Sequence, residues 1–258
     1  MIGAILGDII GSFYEFRNRI KTEDFELFPK EAKFTDDTVL TIATADALLH
    51  NKSGDKAYYE WGNKYPNAGY GSMFSSWLNS SITDLKPYGS YGNGSAMRVS
   101  PIGWYCDNLS DTINYSIVSA IYTHNHEEGI LGAKIVAGSI FLAKKHKNKD
   151  IIKQFINSKS NYNIYQTIEE IRPTYGFDAT CQGSVPEAII CFLESNSYED
   201  AVRKAVSLGG DSDTQACIAG SIAEAFYGIP EWLKEKINDY LPGEMIDIIL
   251  KFQDKYMS

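Results

Sequence analysis

Two short acidic strings far apart in the chain carry the residues best suited to chemistry. They are Phe34-Thr35-Asp36-Asp37-Thr38 and Gly209-Gly210-Asp211-Ser212-Asp213-Thr214. Each reads as a helix start, and a helix start needs one capping oxygen, which Thr35 or Asp211 alone could supply. The second carboxylate and the neighbouring hydroxyl are surplus to capping. If the fold brings the strings together, four carboxylates and two threonine hydroxyls share one pocket. Two like charges about 4 Å apart repel by about 4 kcal/mol at an effective dielectric of ~20. Bound cations are the simplest relief, and an all-oxygen ligand set suits Mg²⁺ or Mn²⁺. The plainer alternative is two ordinary acidic caps that never meet.

Three further pieces bear on chemistry. In Gly7-Asp8-Ile9-Ile10-Gly11-Ser12-Phe13-Tyr14-Glu15, glycines one helical turn apart permit close backbone approach. Glu15 follows Asp8 by seven residues, which on a continuous helix sets both on one face. In Tyr91-Gly92-Asn93-Gly94-Ser95-Ala96-Met97-Arg98, Asn-Gly turns lead into a helix start and aim backbone amides outward, a cradle for phosphate. The third piece, Thr123-His124-Asn125-His126-Glu127-Glu128-Gly129, holds two histidines at i and i+2. No cysteine or third histidine has the spacing to complete a zinc site. Contact with a sugar hydroxyl, or plain packing, remains.

The elements that must position these residues are helical. Apolar periodicity predicts helices over Ala4–Phe16, Asp37–Leu49, Asp111–Tyr122, Glu127–Lys147, Asp150–Asn157, Ile164–Ile171, Val185–Glu194, Tyr198–Leu208, Asp213–Tyr227, Pro230–Asp239 and Pro242–Lys255. Asp213–Tyr227 is rich in small residues and is expected at the centre. No run of period-two strands and no βαβ alternation appears. The expectation is an all-α fold, a compact orthogonal bundle with a metal-floored cleft, formed by one domain over residues 1–258. Trp61 to Trp104, dense in Gly, Asn, Ser and Tyr, reads as an ordered irregular binding loop.

Bulk properties narrow the function classes. The 258 residues are 44% hydrophobic and 22% charged, with a net charge of −9. That charge argues against a nucleic-acid or anionic-membrane binder. The four cysteines show no metal-ligand spacing and read as reduced thiols. Asp8 interrupts the apolar N-terminal run, so no export signal is read there, and nothing is long enough to span a membrane. A cytoplasmic protein is the expectation, with a monomer favoured and the oligomeric state left open.

In chain order, G-D-I-I-G-S-F-Y-E, F-T-D-D-T, G-N-G-S-A-M-R, T-H-N-H-E-E-G and G-G-D-S-D-T-Q-A resemble the ADP-ribosylglycohydrolase family, from residue 3 to about residue 228. The resemblance implies an all-helical fold with two Mg²⁺ or Mn²⁺ ions at the base of a cleft for ADP-ribose. By position it implies Thr35, Asp36, Asp37, Asp211, Asp213 and Thr214 as metal ligands. It implies Asn93, Gly94, Ser95 and Met97 around the diphosphate and distal ribose, with His124 near that ribose. Glu15, Asp36 or Asp37 is the candidate acid or base, and the sequence leaves the choice open. The expected reaction is hydrolysis of the glycosidic bond between ADP-ribose and a protein side chain or small acceptor, by attack of a metal-bound water. A non-catalytic ADP-ribose sensor and another Mg²⁺-dependent hydrolase are the alternatives. The acceptor, whether arginine, serine, a nucleobase or an acetyl ester, stays open.

Overall fold

The computed structural model describes residues 1–16 and 19–257. The helices begin with α1 (Ile2–Ser12), α2 (Asp36–His50), α3 (Gly54–Lys64) and α4 (Ser72–Leu78). Two short helices, α5 (Gly94–Met97) and α6 (Ser100–Tyr105), precede the longer α7 (Leu109–Ile121) and α8 (Glu127–His146). Next come α9 (Lys149–Lys159), α10 (Ile168–Ile171), α11 (Cys181–Leu193) and α12 (Tyr198–Val206). The chain closes with α13 (Ser212–Tyr227), α14 (Glu231–Glu235), α15 (Ile237–Tyr240) and α16 (Gly243–Tyr256). Among the described residues the only β feature is an isolated antiparallel bridge between Gly92 and Thr180. The fold is all-α.

The closest helix pair, α1 on α13, builds the centre. A Cβ added at Gly7 would lie 2.1 Å from the Ala216 carbonyl oxygen. One at Gly11 would lie 2.3 Å from the Ser212 oxygen, so only glycine allows this crossing. Ser212 Oγ donates to Gly11 O at 2.9 Å and ties the α13 start to the α1 end. Both helices are buried almost throughout, which explains their lack of a polar face. The crossing brings Asp8 of α1 near Asp213 of α13.

Several boundaries differ from the sequence reading. The helix expected over Ala4–Phe16 stops at Ser12. Tyr14 turns inward instead, donates to Glu26 O at 2.7 Å and packs edge-on against Phe25. Glu15 therefore lies beyond the helix and reaches the cleft by that turn, not by helical periodicity. The stretch from Trp61 to Trp104 holds the end of α3, all of α4 and α5, and most of α6. Phe74, Trp77 and Leu78 bury one face of α4 at helical spacing, a pattern masked by its serines. Helix α10 is half its expected length because Thr167 and Glu170 form a capping box that starts it late. Helix α11 starts at Cys181, four residues earlier than expected, with Thr180 capping it through the Gly183 N–H. No helix among the described residues is long and apolar enough to cross a membrane.

Candidate active site

Asp8 organises the first acidic string. It is fully buried, and its carboxylate accepts from the Thr35 N–H at 2.9 Å, the Thr38 N–H at 3.0 Å, Thr35 Oγ1 at 2.7 Å and Thr38 Oγ1. Four donors occupy its two oxygens. Asp8 thus holds the start of α2 in place and adds a charge beneath it, although its oxygens also lie close to those of Asp37 and Asp213. Thr35 caps α2 and spends its one proton on Asp8, which leaves a lone pair facing Asp37. The sequence reading gave Asp8 no part in the site. Its position in an apolar helix was the available signal, but its partners lie about thirty residues away.

The two acidic strings meet across the α1–α13 crossing. Thr214 Oγ1 approaches Asp37 Oδ2 at 3.2 Å, while Asp37 Oδ1 is buried with no hydrogen-bond partner among the described residues. One oxygen each from Asp8, Asp37 and Asp213 lie within 4.8 Å of one another, and so do those of Glu15, Asp211 and Asp213. Asp213 belongs to both groups. Asn93 Nδ2 donates to Asp211 Oδ2 at 2.7 Å and to Ser184 Oγ at 3.2 Å, fixing the Asp211 carboxylate.

These carboxyls are hard to ionise together. Burial, then the Asp213 charge, pushes Glu15 up to about 9. Burial, then Asp8, raises Asp36 to about 7, and burial raises Asp8 and Asp211 to about 6. Asp37 and Asp213 are held well above the usual carboxylate range, by burial first and then by their acidic neighbours. Unfolded, such groups titrate near 4. The folded state therefore keeps its protons to higher pH, so their contribution to stability is whole below about pH 4. It is lost as pH rises through the folded values near 6, 7 and 9. Chelator-treated protein should melt lower at pH 8.5 than at pH 5.5. At pH 8.5, Mg²⁺ or Mn²⁺ should raise the midpoint by roughly 10 °C, the scale of one relieved charge pair. Thermal melts with and without cation test this, and flat midpoints in both series would separate the cluster from any cation.

A cleft of about 490 Å³ opens over the cluster, within the usual range for small-ligand sites. Glu15, Asp36, Asp37, Asp211, Asp213 and Thr214 all line it. So do Asn93, Gly94, Met97 and His124 from the expected ligand loops. Thr35 lies beneath this floor, buried against Asp8. Ser95 departs from its expected place: its hydroxyl is fully buried and donates to Gly129 O at 2.7 Å, bracing α5 against α8. Any contact Ser95 makes with a ligand is through its main chain. Part of the expected Trp61–Trp104 binding stretch, Gly69–Phe74, does form a cleft wall, where Tyr70 has a buried hydroxyl without a hydrogen-bond partner among the described residues. The rim pair Phe16 and Phe177, whose rings stack at 5.9 Å, had no place in the sequence expectation.

The family model of ADP-ribosylglycohydrolases matches residues 1–256. The chain belongs to the ADP-ribosylglycohydrolase family. Human ADP-ribosylhydrolase ARH3 is 27% identical over 320 residues, covering 93% of this chain and 88% of its own. ADP-ribosylarginine hydrolase Tri1 of Pseudomonas putida (strain GB-1) is 25% identical over 270 residues, covering 91% of this chain and 72% of its own. A solved structure titled "ADP-ribosylglycohydrolase-related protein complex" shares the fold with a TM-score of 0.73 at 20% identity, over 97% of this chain and 95% of its own. By family the protein is a glycohydrolase.

Proposed function

We propose that the cleft hydrolyses the bond between the anomeric carbon of ADP-ribose and a protein side chain or small acceptor, assisted by two divalent cations, Mg²⁺ or Mn²⁺. One observation carries this reading. Buried carboxylates converge on a cleft floor with no cationic side chain among its described lining residues, and Asp37 Oδ1 has no hydrogen-bond partner among the described residues. Such an all-oxygen donor set fits hard divalent ions. Asp36, Asp37, Asp211, Asp213, Thr214 and the lone pair of Thr35 are the groups to hold them. When bound, such ions offset the carboxylate repulsion, polarise sugar oxygens and lower the pKa of a coordinated water toward neutrality.

The chain's own groups do the rest. Asn93 keeps Asp211 oriented, and Asp8 keeps Thr35 and the α2 start in register with α13. Gly92 and Gly94 bring backbone to the cleft wall, leaving room for a diphosphate. Glu15, half-buried at the cleft edge beside Asp211 and Asp213, is placed to exchange a proton with the nucleophilic water or the departing group. Negative charge around the anomeric carbon favours the oxocarbenium character that develops as the leaving group departs.

The direct test is a panel of arginine- and serine-linked ADP-ribosyl peptides and O-acetyl-ADP-ribose, each with Mg²⁺, Mn²⁺ or EDTA. Release of ADP-ribose from at least one conjugate, abolished by EDTA, is expected. Tight binding of ADP-ribose without release in any arm would make the protein a sensor instead. Glu15→Gln keeps size but cannot carry a proton. Its kcat should fall at least about a hundredfold, with ADP-ribose affinity little changed. Rescue by excess Mn²⁺ would show Glu15 to be a metal ligand, and an unchanged kcat would remove it from the chemistry.

A further inference from the structure

Arg98 is a fully buried cation whose surroundings are neutral. Its guanidinium carbon lies 4.2 Å from the Tyr58 ring centroid, and Nη2 donates to Ser119 O at 2.6 Å and Thr123 Oγ1 at 2.9 Å. Its Nε and Nη1 have no hydrogen-bond partner among the described residues. Burying a charge this way is costly, so a task beyond packing is worth seeking. Two bonds away the chain reaches the cleft, because Thr123 Oγ1 lies 2.8 Å from His124 Nδ1. The far side of that ring faces the ligand wall. A Cβ on Gly94 would sit 3.0 Å from His124 Nε2, and one on Gly92 would sit 3.7 Å away.

The proton count along this chain is constrained. A guanidinium only donates, so Thr123 Oγ1 accepts from Arg98. On its other side Thr123 Oγ1 approaches His124 Nδ1 at 2.8 Å, with the Tyr88 phenol as the competing acceptor of its one proton. The adjacent positive charge polarises the threonine hydroxyl, making it a better donor and a poorer acceptor. Its single proton then goes to His124 Nδ1, and the ring's own proton must sit on Nε2. Burial first, and the Arg98 charge second, keep the ring neutral by holding His124 well below the usual imidazole value.

We propose that Arg98 and Thr123 are positioning residues that hold His124 in its Nε2–H tautomer, presenting a fixed hydrogen-bond donor to a ligand oxygen along the Gly92–Gly94 wall. The ligand half of this rests on reading the cleft as an ADP-ribose site, whose hydroxyl and phosphate oxygens accept such a bond. The competing arrangement sends the Thr123 proton to Tyr88 and places the ring proton on Nδ1. That tautomer turns a bare lone pair toward the ligand.

Long-range ¹H–¹⁵N correlation spectra of histidine-labelled full-length protein separate the two tautomers. Four histidines are present, and loss of one signal set in His124→Gln assigns the ring. The expected wild-type spectrum has a protonated Nε2 and an unprotonated Nδ1. A protonated Nδ1 overturns the proposal, whether or not any variant folds. Thr123→Val, checked for helical content by circular dichroism, should lose the single tautomer. Its ADP-ribose affinity should weaken and its KM rise about tenfold, the scale of one misdirected buried hydrogen bond, with kcat little changed. Thr123→Ser should restore both. An unaltered tautomer in Thr123→Val overturns the positioning role. A correct wild-type tautomer with no ADP-ribose binding overturns the ligand and leaves the tautomer standing, so the two failures are distinguishable.

Discussion

Asp213→Ala is expected to cut cation-dependent release of ADP-ribose by at least about a thousandfold, equivalent to about 4 kcal/mol of lost transition-state stabilisation. Its oxygens take part in both three-carboxylate groups, so its removal opens both at once. The same substitution should raise the thermal midpoint of chelator-treated protein at pH 8.5. Asp213 is the leading charge raising Asp37 and the leading charge raising Glu15, and deleting it relieves both. Activity and stability thus move in opposite directions, which no simple capping role produces. Helix α13 should survive, since its first turn is packed against Gly11 and tied by Ser212. Paired assays and melts with and without Mn²⁺ decide the matter. An unfolded variant, or one fully active without added cation, would leave Asp213 a structural residue of the α13 start.

The acidic strings were legible because their surplus oxygens had no local use. A helix start explains one capping group, and Thr35 does cap α2, but nothing local explains Asp37 or Asp213. Gly7 and Gly11 were legible as points of close approach, and the chain does pack there. The partner helix was not legible, because ridge-and-groove packing between segments 200 residues apart leaves no local trace. Glu15 reached the cleft for a reason the periodicity could not express: Tyr14 breaks the helix by burying against the following loop. Helices α4 to α6 are too short for a periodic signal to outweigh their glycine and serine content. Ser95 shows the limit of motif reading, since adjacent positions in Asn93-Gly94-Ser95 face opposite ways. Asn93 turns to the cleft floor and Ser95 turns to the α8 backbone.

Gly7→Ala should lower stability by about 3 kcal/mol or more, a midpoint loss of roughly 10 °C, although alanine is ordinarily the better helix former by about 1 kcal/mol. The sign reverses because the new methyl would meet main chain on the partner helix: Ala216 O at 2.1 Å and Cys217 N at 2.8 Å. Backbone cannot rotate aside as a side chain can, so α1 and α13 must separate. Separation also pulls Asp8 from Asp213 and Glu15 from Asp211. The stability gained on adding Mn²⁺ should therefore shrink even in protein that remains folded. Gly243→Ala is the control, at the first residue of α16, where an added Cβ meets nothing within 4 Å. It should change stability by no more than about 0.5 kcal/mol, the usual scale at an unencumbered surface position. Melts of both variants with and without Mn²⁺ make the comparison. A Gly7→Ala protein that melts like the wild type would mean that α1 and α13 do not cross this closely. The cluster would then lose the contact that assembles it.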